Sequence, residues 1–177
     1  MLPFLLFLVP ALAYTAISNG DSVYRTRIED PRAVYLTPDA FDVKGDGVAD
    51  DTNAVQQAID KVAAATQQGV LFIPEGRYRF TKTVNVWPGI RLIGYGAHRP
   101  VFLLGENTPG FQDGAGKYLV WFAGGRGRGG GPVRDANPGT FYSAMSNIDI
   151  EIQDGNPAAI GVRSHWAQHC FLAHMDF

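Results

Sequence analysis

The 177-residue chain carries 15 Lys and Arg against 17 Asp and Glu, a net charge of -2, which excludes a basic stripe able to hold a nucleic-acid backbone. An apolar content of 46% excludes a disordered chain, and 21 glycines with 11 prolines mark a turn-rich fold in which strands outnumber helices. The length suits one domain, and the single cysteine, Cys170, excludes an internal disulfide, so packing alone must hold the fold.

Residues 1–13 (MLPFLLFLVPALA) form an apolar run ending in Ala11-Leu12-Ala13, the small-x-small pattern of a cleaved secretion signal. The run is shorter than the roughly 20 residues a membrane-spanning helix needs, and Pro3 and Pro10 weaken such a helix further. A membrane anchor is the alternative. The expectation is a secreted protein with no membrane contact once the signal is removed. Residues 14–38 read as an extended lead-in with a short strand near residues 33–36.

Asp51 stands where an N-cap belongs, and Val55, Ala58, Ile59 and Val62 follow at helical spacing, predicting a helix over residues 51–65. Its polar face is Gln56, Gln57, Asp60 and Lys61, so its apolar face must cover something. Short strands follow at 70–73, 78–80, 84–86, 90–93, 101–104 and 118–122, separated by turn residues that include Pro74, Gly76, Pro88, Gly89, Gly94 and Gly105. Spacing this close leaves no room for crossover helices, so a doubly wound sheet is excluded and an all-β fold remains. The glycine-rich segment 124–131 reads as a surface loop. At 145–153 alternation resumes, with Ile148, Ile150 and Ile152 facing one way and Asn147, Asp149, Glu151 and Gln153 the other, as in one half-buried strand. The chain stops within a pattern at residues 161–177, which reads as a coil left incomplete at its C-terminal end.

Asp42, Asp46 and Gly47 fit three positions of a calcium loop, but Lys44 and Asn53 break it, so the turn-and-cap reading is preferred. His165, His169, Cys170 and His174 contain metal-ligand residue types without an amphipathic helix to assemble them, so no metal or other cofactor is expected. Gly114-Ala-Gly116-Lys117 lacks the first glycine and the hydroxyl of a phosphate loop. Asp149 and Glu151, two apart on one strand and so roughly 6.5 to 7 Å apart, could form a glycosidase-type carboxylate pair, against the alternative of an ordinary wet strand face. Trp87, Trp121 and Trp166 could stack on sugar rings or serve as packing. Asp149, Glu151 and Trp121 are therefore the candidate substrate-binding residues.

Three ordered motifs carry a family resemblance. Residues 41–60 (FDVKGDGVADDTNAVQQAID) resemble the GDG-x-x-DDT turn and A-V-Q-x-A-I helix that open the rhamnogalacturonase/epimerase-like pectate lyase domain. Residues 69–78 (GVLFIPEGRY) and 90–96 (IRLIGYG) resemble its first strand with the P-x-G-x-Y turn and its L-x-G-x-G turn. Residues 141–177 resemble, more loosely, a middle portion of the exo-β-1,3-glucanases of glycoside hydrolase family 55; family 28 is also related. The resemblance implies a right-handed parallel β-helix with an N-terminal capping α-helix, divided here as signal 1–13, lead-in 14–38 and coil 39–177. It implies a secreted polysaccharide-degrading parent, hydrolase or lyase, acting on a plant or fungal cell-wall polymer. In that family the reacting residues lie on later rungs, so no catalytic position transfers to this sequence and the chain alone is expected to be inactive. A non-catalytic, tailspike-like carbohydrate-binding or adhesive coil is the runner-up, and an epimerase-like or purely structural coil the third reading.

Overall fold

The computed structural model describes residues 20–177, so the predicted signal, residues 1–13, lies outside the described residues. The chain winds in circuits. The first contains β1 (Val34–Tyr35), the short helix α1 (Pro38–Phe41), β2 (Asp46–Asp50) and the long helix α2 (Thr52–Thr66). The second contains β3 (Gly69–Pro74), β4 (Arg77–Phe80) and β5 (Val84–Val86), and the third β6 (Ile90–Tyr95), β7 (Val101–Leu104) and β8 (Lys117–Gly125). A short strand β9 (Arg134–Asp135) then folds back on β8, before β10 (Ala144–Ser146), β11 (Asp149–Ile152) and β12 (Ala159–Arg163) complete the fourth circuit and β13 (Phe171–Ala173) begins the fifth.

The second, third and fourth circuits visit the same three sheets in the same order, while the first supplies strands to sheets 1 and 2 and then continues into α2. Sheet 1 is β1-β3-β6-β10-β13, sheet 2 is β11-β7-β4-β2 and sheet 3 is β12-β8-β5. Every pairing inside these sheets is parallel; β9 pairs antiparallel with β8. The molecule is thus mostly β, with parallel sheets wound around one core and few helices.

Register stacks like on like along the coil. Leu71, Leu92 and Met145 align in sheet 1, Tyr78, Phe102 and Ile150 in sheet 2, and Val84, Val120 and Val162 in sheet 3. Phe80 and Phe102 pack with ring centroids 4.9 Å apart, and Tyr78 meets Phe102 edge-on at 6.2 Å. Each fully buried side chain of this size contributes about 1.5–3 kcal/mol by leaving water. Helix α2 lays Ala54, Val55, Ala58, Ile59 and Val62 over the first-circuit end of this core. That end would otherwise expose apolar side chains and unpaired strand edges.

Two expectations need correction. Asp51 occupies the N-cap position but its side chain makes no capping bond to the helix. Instead it is buried, and its two oxygens accept the backbone N–H of Lys44 at 2.7 Å and of Gly45 at 2.9 Å, while Asp50 accepts the first free helix N–H, that of Thr52, at 3.0 Å. Gly45 makes this fold-back possible: its φ is +61°, and a Cβ there would sit 3.2 Å from the Tyr78 ring. Second, residues 145–153 are two strands in two sheets, broken where Asn147 turns the corner with φ 59°. Asn147 is fully buried, and its amide donates to Gly94 O and Ser22 Oγ and accepts the Val23 N–H, replacing ladder bonds that the corner removes.

The lead-in is packed against this same corner. Asp21 bridges antiparallel to His98, Arg99 N–H donates to Gly20 O and Gly96 N–H donates to Tyr24 O. β8 runs on through Gly125 into the glycine-rich segment, the rest of which loops out before β9 returns alongside β8.

Candidate functional site

The three residues singled out from sequence do not meet in one place. Asp149 and Glu151 lie on β11 in sheet 2, and Trp121 lies on β8 in sheet 3. Asp149 is buried at the corner: Oδ1 lies 2.7 Å from Arg99 Nε, in an ion pair whose N–H is not aligned for a hydrogen bond, and also accepts the Asp176 N–H at 2.9 Å. Its other oxygen accepts the Gly20 N–H at 3.4 Å. Glu151 Oε2 is 2.6 Å from an Arg77 guanidinium nitrogen, and Oε1 accepts from Gln153 Nε2 at 3.0 Å. A glycosidase carboxylate needs an oxygen open to the glycosidic bond or to water. Here all four oxygens already have protein partners.

Trp121 belongs to a different group. Asn85, Trp121 and Arg163 are aligned across β5, β8 and β12, and alternation turns them away from the inward Val84, Val120 and Val162. The Trp121 indole donates to Asp135 Oδ1 at 2.9 Å, Arg163 pairs with Asp135 Oδ2 at 2.5 Å, and His165 Nδ1 lies 3.6 Å from the same oxygen. Tyr118 packs beside Trp121 with centroids 5.7 Å apart, and the Arg163 guanidinium sits 5.8 Å above the Tyr118 ring. The Arg163 hydrogen bond, supported by the indole N–H against a smaller effect of burial, holds the Asp135 carboxyl down at about 2. Asp135 is therefore an anion at any ordinary pH. It cannot act as a general acid; it fixes the indole, guanidinium and imidazole around one point.

The result is a half-exposed aromatic face edged with polar groups, the surface chemistry that sugar rings stack on and hydrogen-bond to. Trp87 and Trp166 are packing residues by comparison. Trp87 is buried with its N–H on Asp60 at 2.6 Å, and Trp166 meets Phe122 edge-on at 4.4 Å.

The carboxylates of the GDG-x-x-DDT turn are engaged locally. Asp46 Oδ1 accepts the N–H groups of Val48 and Ala49, both at 2.8 Å, and these bonds lower its pKa. Burial pushes Asp50 up, but hydrogen bonds from Thr52 and Thr81 outweigh it and hold the group low. Asp51 is raised, because desolvation exceeds the help from its two backbone N–H partners. The ligand-like residues near the C-terminus separate: His165 faces Asp135, His169 stacks on Tyr142, and Cys170 lies against Ser143 N and Thr140 O. Among the described residues, no three His, Cys, Asp or Glu side chains converge as a metal-binding set.

Sequence reasoning missed Tyr118, Asp135 and Arg163. They come from three strands, and only the register of β8 with β9 and β12 brings them to Trp121.

Parallel sheets visited in strict rotation, closed at one end by an amphipathic helix behind a glycine-aspartate turn, define a pectate-lyase-like coil. The chain belongs to the rhamnogalacturonase A/epimerase, pectate lyase-like family, whose model matches residues 39–177. It is similar to a glucan 1,3-beta-glucosidase of Cochliobolus carbonum, 52% identical over 50 residues, which is 28% of this chain and 6% of that protein. It is also similar to a capsule KN3-specific depolymerase of Klebsiella phage KN3-1, 41% identical over 58 residues, covering 33% of this chain and 7% of the relative. Among solved structures, the ORF18 protein of Geobacillus virus E2 aligns with a TM-score of 0.47 at 26% identity, over 73% of this chain and 22% of that one. The matched stretches are thus a small part of each curated relative's length.

Proposed function

We propose that this chain is the capped opening of a secreted, right-handed parallel β-helix protein that degrades polysaccharide. In this reading the chain closes and starts the coil and offers a sugar-docking face on sheet 3, while cleavage is carried out by residues outside it. The observation that carries the reading is the Trp121 group, an aromatic face held in place by Asp135, Arg163 and His165. Similarity to proteins named for glucan and capsule cleavage supports a polysaccharide ligand. A plant or fungal cell-wall polymer agrees with the fungal glucan relative, and the apolar run at residues 1–13 supports export. The full engagement of Asp149 and Glu151 also favours a second reading, a binding or adhesive coil without chemistry anywhere in the protein. Co-sedimentation of the purified chain with insoluble β-1,3-glucan tests the docking face. Trp121→Ala is expected to reduce the bound fraction several-fold without changing the melting temperature by more than a few degrees. Unchanged binding by a folded Trp121→Ala protein would remove sheet 3 from the account.

A further inference from the structure

The glycine-rich segment that loops out of sheet 3 is tied to the cap helix by Arg126. This residue stands directly after β8, and its guanidinium reaches across to α2, where Nη2 lies 2.7 Å from Asp60 Oδ1 and the group sits 4.9 Å above the Trp87 ring. The same Asp60 oxygen accepts the Trp87 indole N–H at 2.6 Å and Gln56 Nε2–H at 3.2 Å. These four residues, with Lys82 and Asn85, line a cleft of about 270 Å³ at the seam between α2 and sheet 3. Trp87 is only 9% exposed because it lies beneath the arginine as well as against the core.

The backbone beyond Trp121 has a fixed neck and an open tip. A Cβ at Gly124 would sit 2.2 Å from Asp135 O, and one at Gly127 1.9 Å from Gly131 O, so glycine alone lets the two limbs approach this closely. At Gly129 and Gly130, by contrast, a Cβ would meet nothing within 4 Å. β8 and β9 pair across Ala123 and Asp135 and across Gly125 and Arg134, which fixes the base of the loop beside Trp121. Arg126 is the first residue beyond that pairing on the β8 side.

The tie itself is light. The Arg126 and Asp60 side chains are 60% and 38% exposed, and an ion pair this open is weak and screened by salt, although the ring beneath adds a cation–π attraction. Arg126 can also leave without stranding a charge, because the indole N–H and Gln56 stay on the half-exposed carboxylate.

We infer that residues 126–133 form an ionic strap that closes the Trp87 cleft, latched by Arg126 on Asp60 and released when salt screens that pair. The hinge is the Gly124–Gly125 end of β8, and the Trp121 face, held by the paired base, does not move with the strap. The device depends on no ligand and is separate from the sugar-docking reading of that face.

Hydroxyl-radical footprinting of the whole 177-residue chain, read tryptophan by tryptophan by mass spectrometry, tests it. Trp166, packed edge-on against Phe122, is the internal reference. Between about 0.01 M and about 1 M sodium chloride the screening length falls from about 30 Å to about 3 Å, and oxidation of Trp87 relative to Trp166 is expected to rise several-fold. Arg126→Gln should show the high-salt ratio at every salt concentration with Trp121 oxidation unchanged, and Arg126→Lys, which keeps the charge without the planar fork over the ring, should fall between. Asp60→Asn, which keeps an oxygen for the indole N–H, should match Arg126→Gln. A ratio that does not change with salt in the unmodified chain would overturn the inference, as would an Arg126→Gln protein of unchanged circular dichroism and melting temperature whose Trp87 is as protected as the parent's. Trp121 oxidation rising in step with Trp87 in Arg126→Gln would also overturn it, by showing general loosening of sheet 3 in place of a strap.

Discussion

The Gln56 side chain makes a two-point hydrogen bond to the backbone of Asn85: its Nε2 donates to Asn85 O at 3.0 Å and its Oε1 accepts Asn85 N–H at 2.8 Å. Asn85 lies on β5, the edge strand of sheet 3, whose other side pairs with β8. A residue of the cap helix thus supplies the bonds that a further strand would have made, and this is how the cap ends the sheet as well as the core. Gln56→Leu leaves both backbone groups without that partner, at a cost of about 1–3 kcal/mol for each one that water cannot reach. Chemical denaturation is expected to show a lower midpoint with an unchanged slope.

The apolar side of the same helix gives a larger effect. Val55 and Ile59 are fully buried, so Val55→Asp or Ile59→Asp places an unpaired carboxylate in the core, costing several kcal/mol even after relaxation. Both variants are expected to be poorly soluble and to melt well below the parent. A parent-like melt from either would mean that α2 is not docked on the coil.

Asp135 predicts a pH dependence. Its ordinary value is 3.8 and in the fold it is held at about 2, so the ionised form stabilises the fold fully above the ordinary value, and the contribution is lost as pH falls through about 2. Asp51 acts in the opposite sense: its value is raised, so its contribution weakens as pH rises from the ordinary value through the raised one. In the folded protein the Trp121 environment should therefore hold constant through the ordinary carboxylate range and change only as pH falls toward about 2. Tryptophan fluorescence against pH, with Asp135→Asn as the reference lacking this transition, reads the effect directly.

Arg99 and Asp149 predict a structural rather than a chemical role for Asp149. Their side chains are 12% and 11% exposed; Arg99 also pairs with Asp176, so removing Asp149 leaves that ion pair but takes the acceptor from the Gly20 and Asp176 N–H groups, at a cost of about 1–3 kcal/mol for each one that water cannot reach. Asp149→Ala is expected to lower the melting temperature sharply. Glu151→Gln, at a more open pair with Arg77, is expected to do so much less.

The parts of this fold legible in the sequence are those that local chemistry dictates. The DDT turn, the helix with Val55, Ala58, Ile59 and Val62, and strands such as Val84–Val86 and Val101–Leu104 follow from turn residues and periodicity within a few positions. The break at Asn147 was not legible because a corner of this kind consumes so few residues that the alternation on either side reads as continuous. Asp51 looked like a cap because its position is a cap position; only the buried fold-back to Lys44 and Gly45 redirects its side chain. The Trp121 group was legible only as a lone tryptophan, since Asp135 and Arg163 reach it through pairings 14 and 28 residues apart from one another's anchor points along the chain.

In the proposed reading this chain binds sugar and leaves cleavage to residues outside it. The decisive test is incubation of the purified, monomeric chain with pectin, rhamnogalacturonan and β-1,3-glucan, followed for new reducing ends and for the unsaturated products of elimination. No product above background is expected, together with retained glucan binding. Turnover that Asp149→Asn or Glu151→Gln abolishes in a protein of unchanged fold would contradict it and make those two carboxylates the catalytic pair.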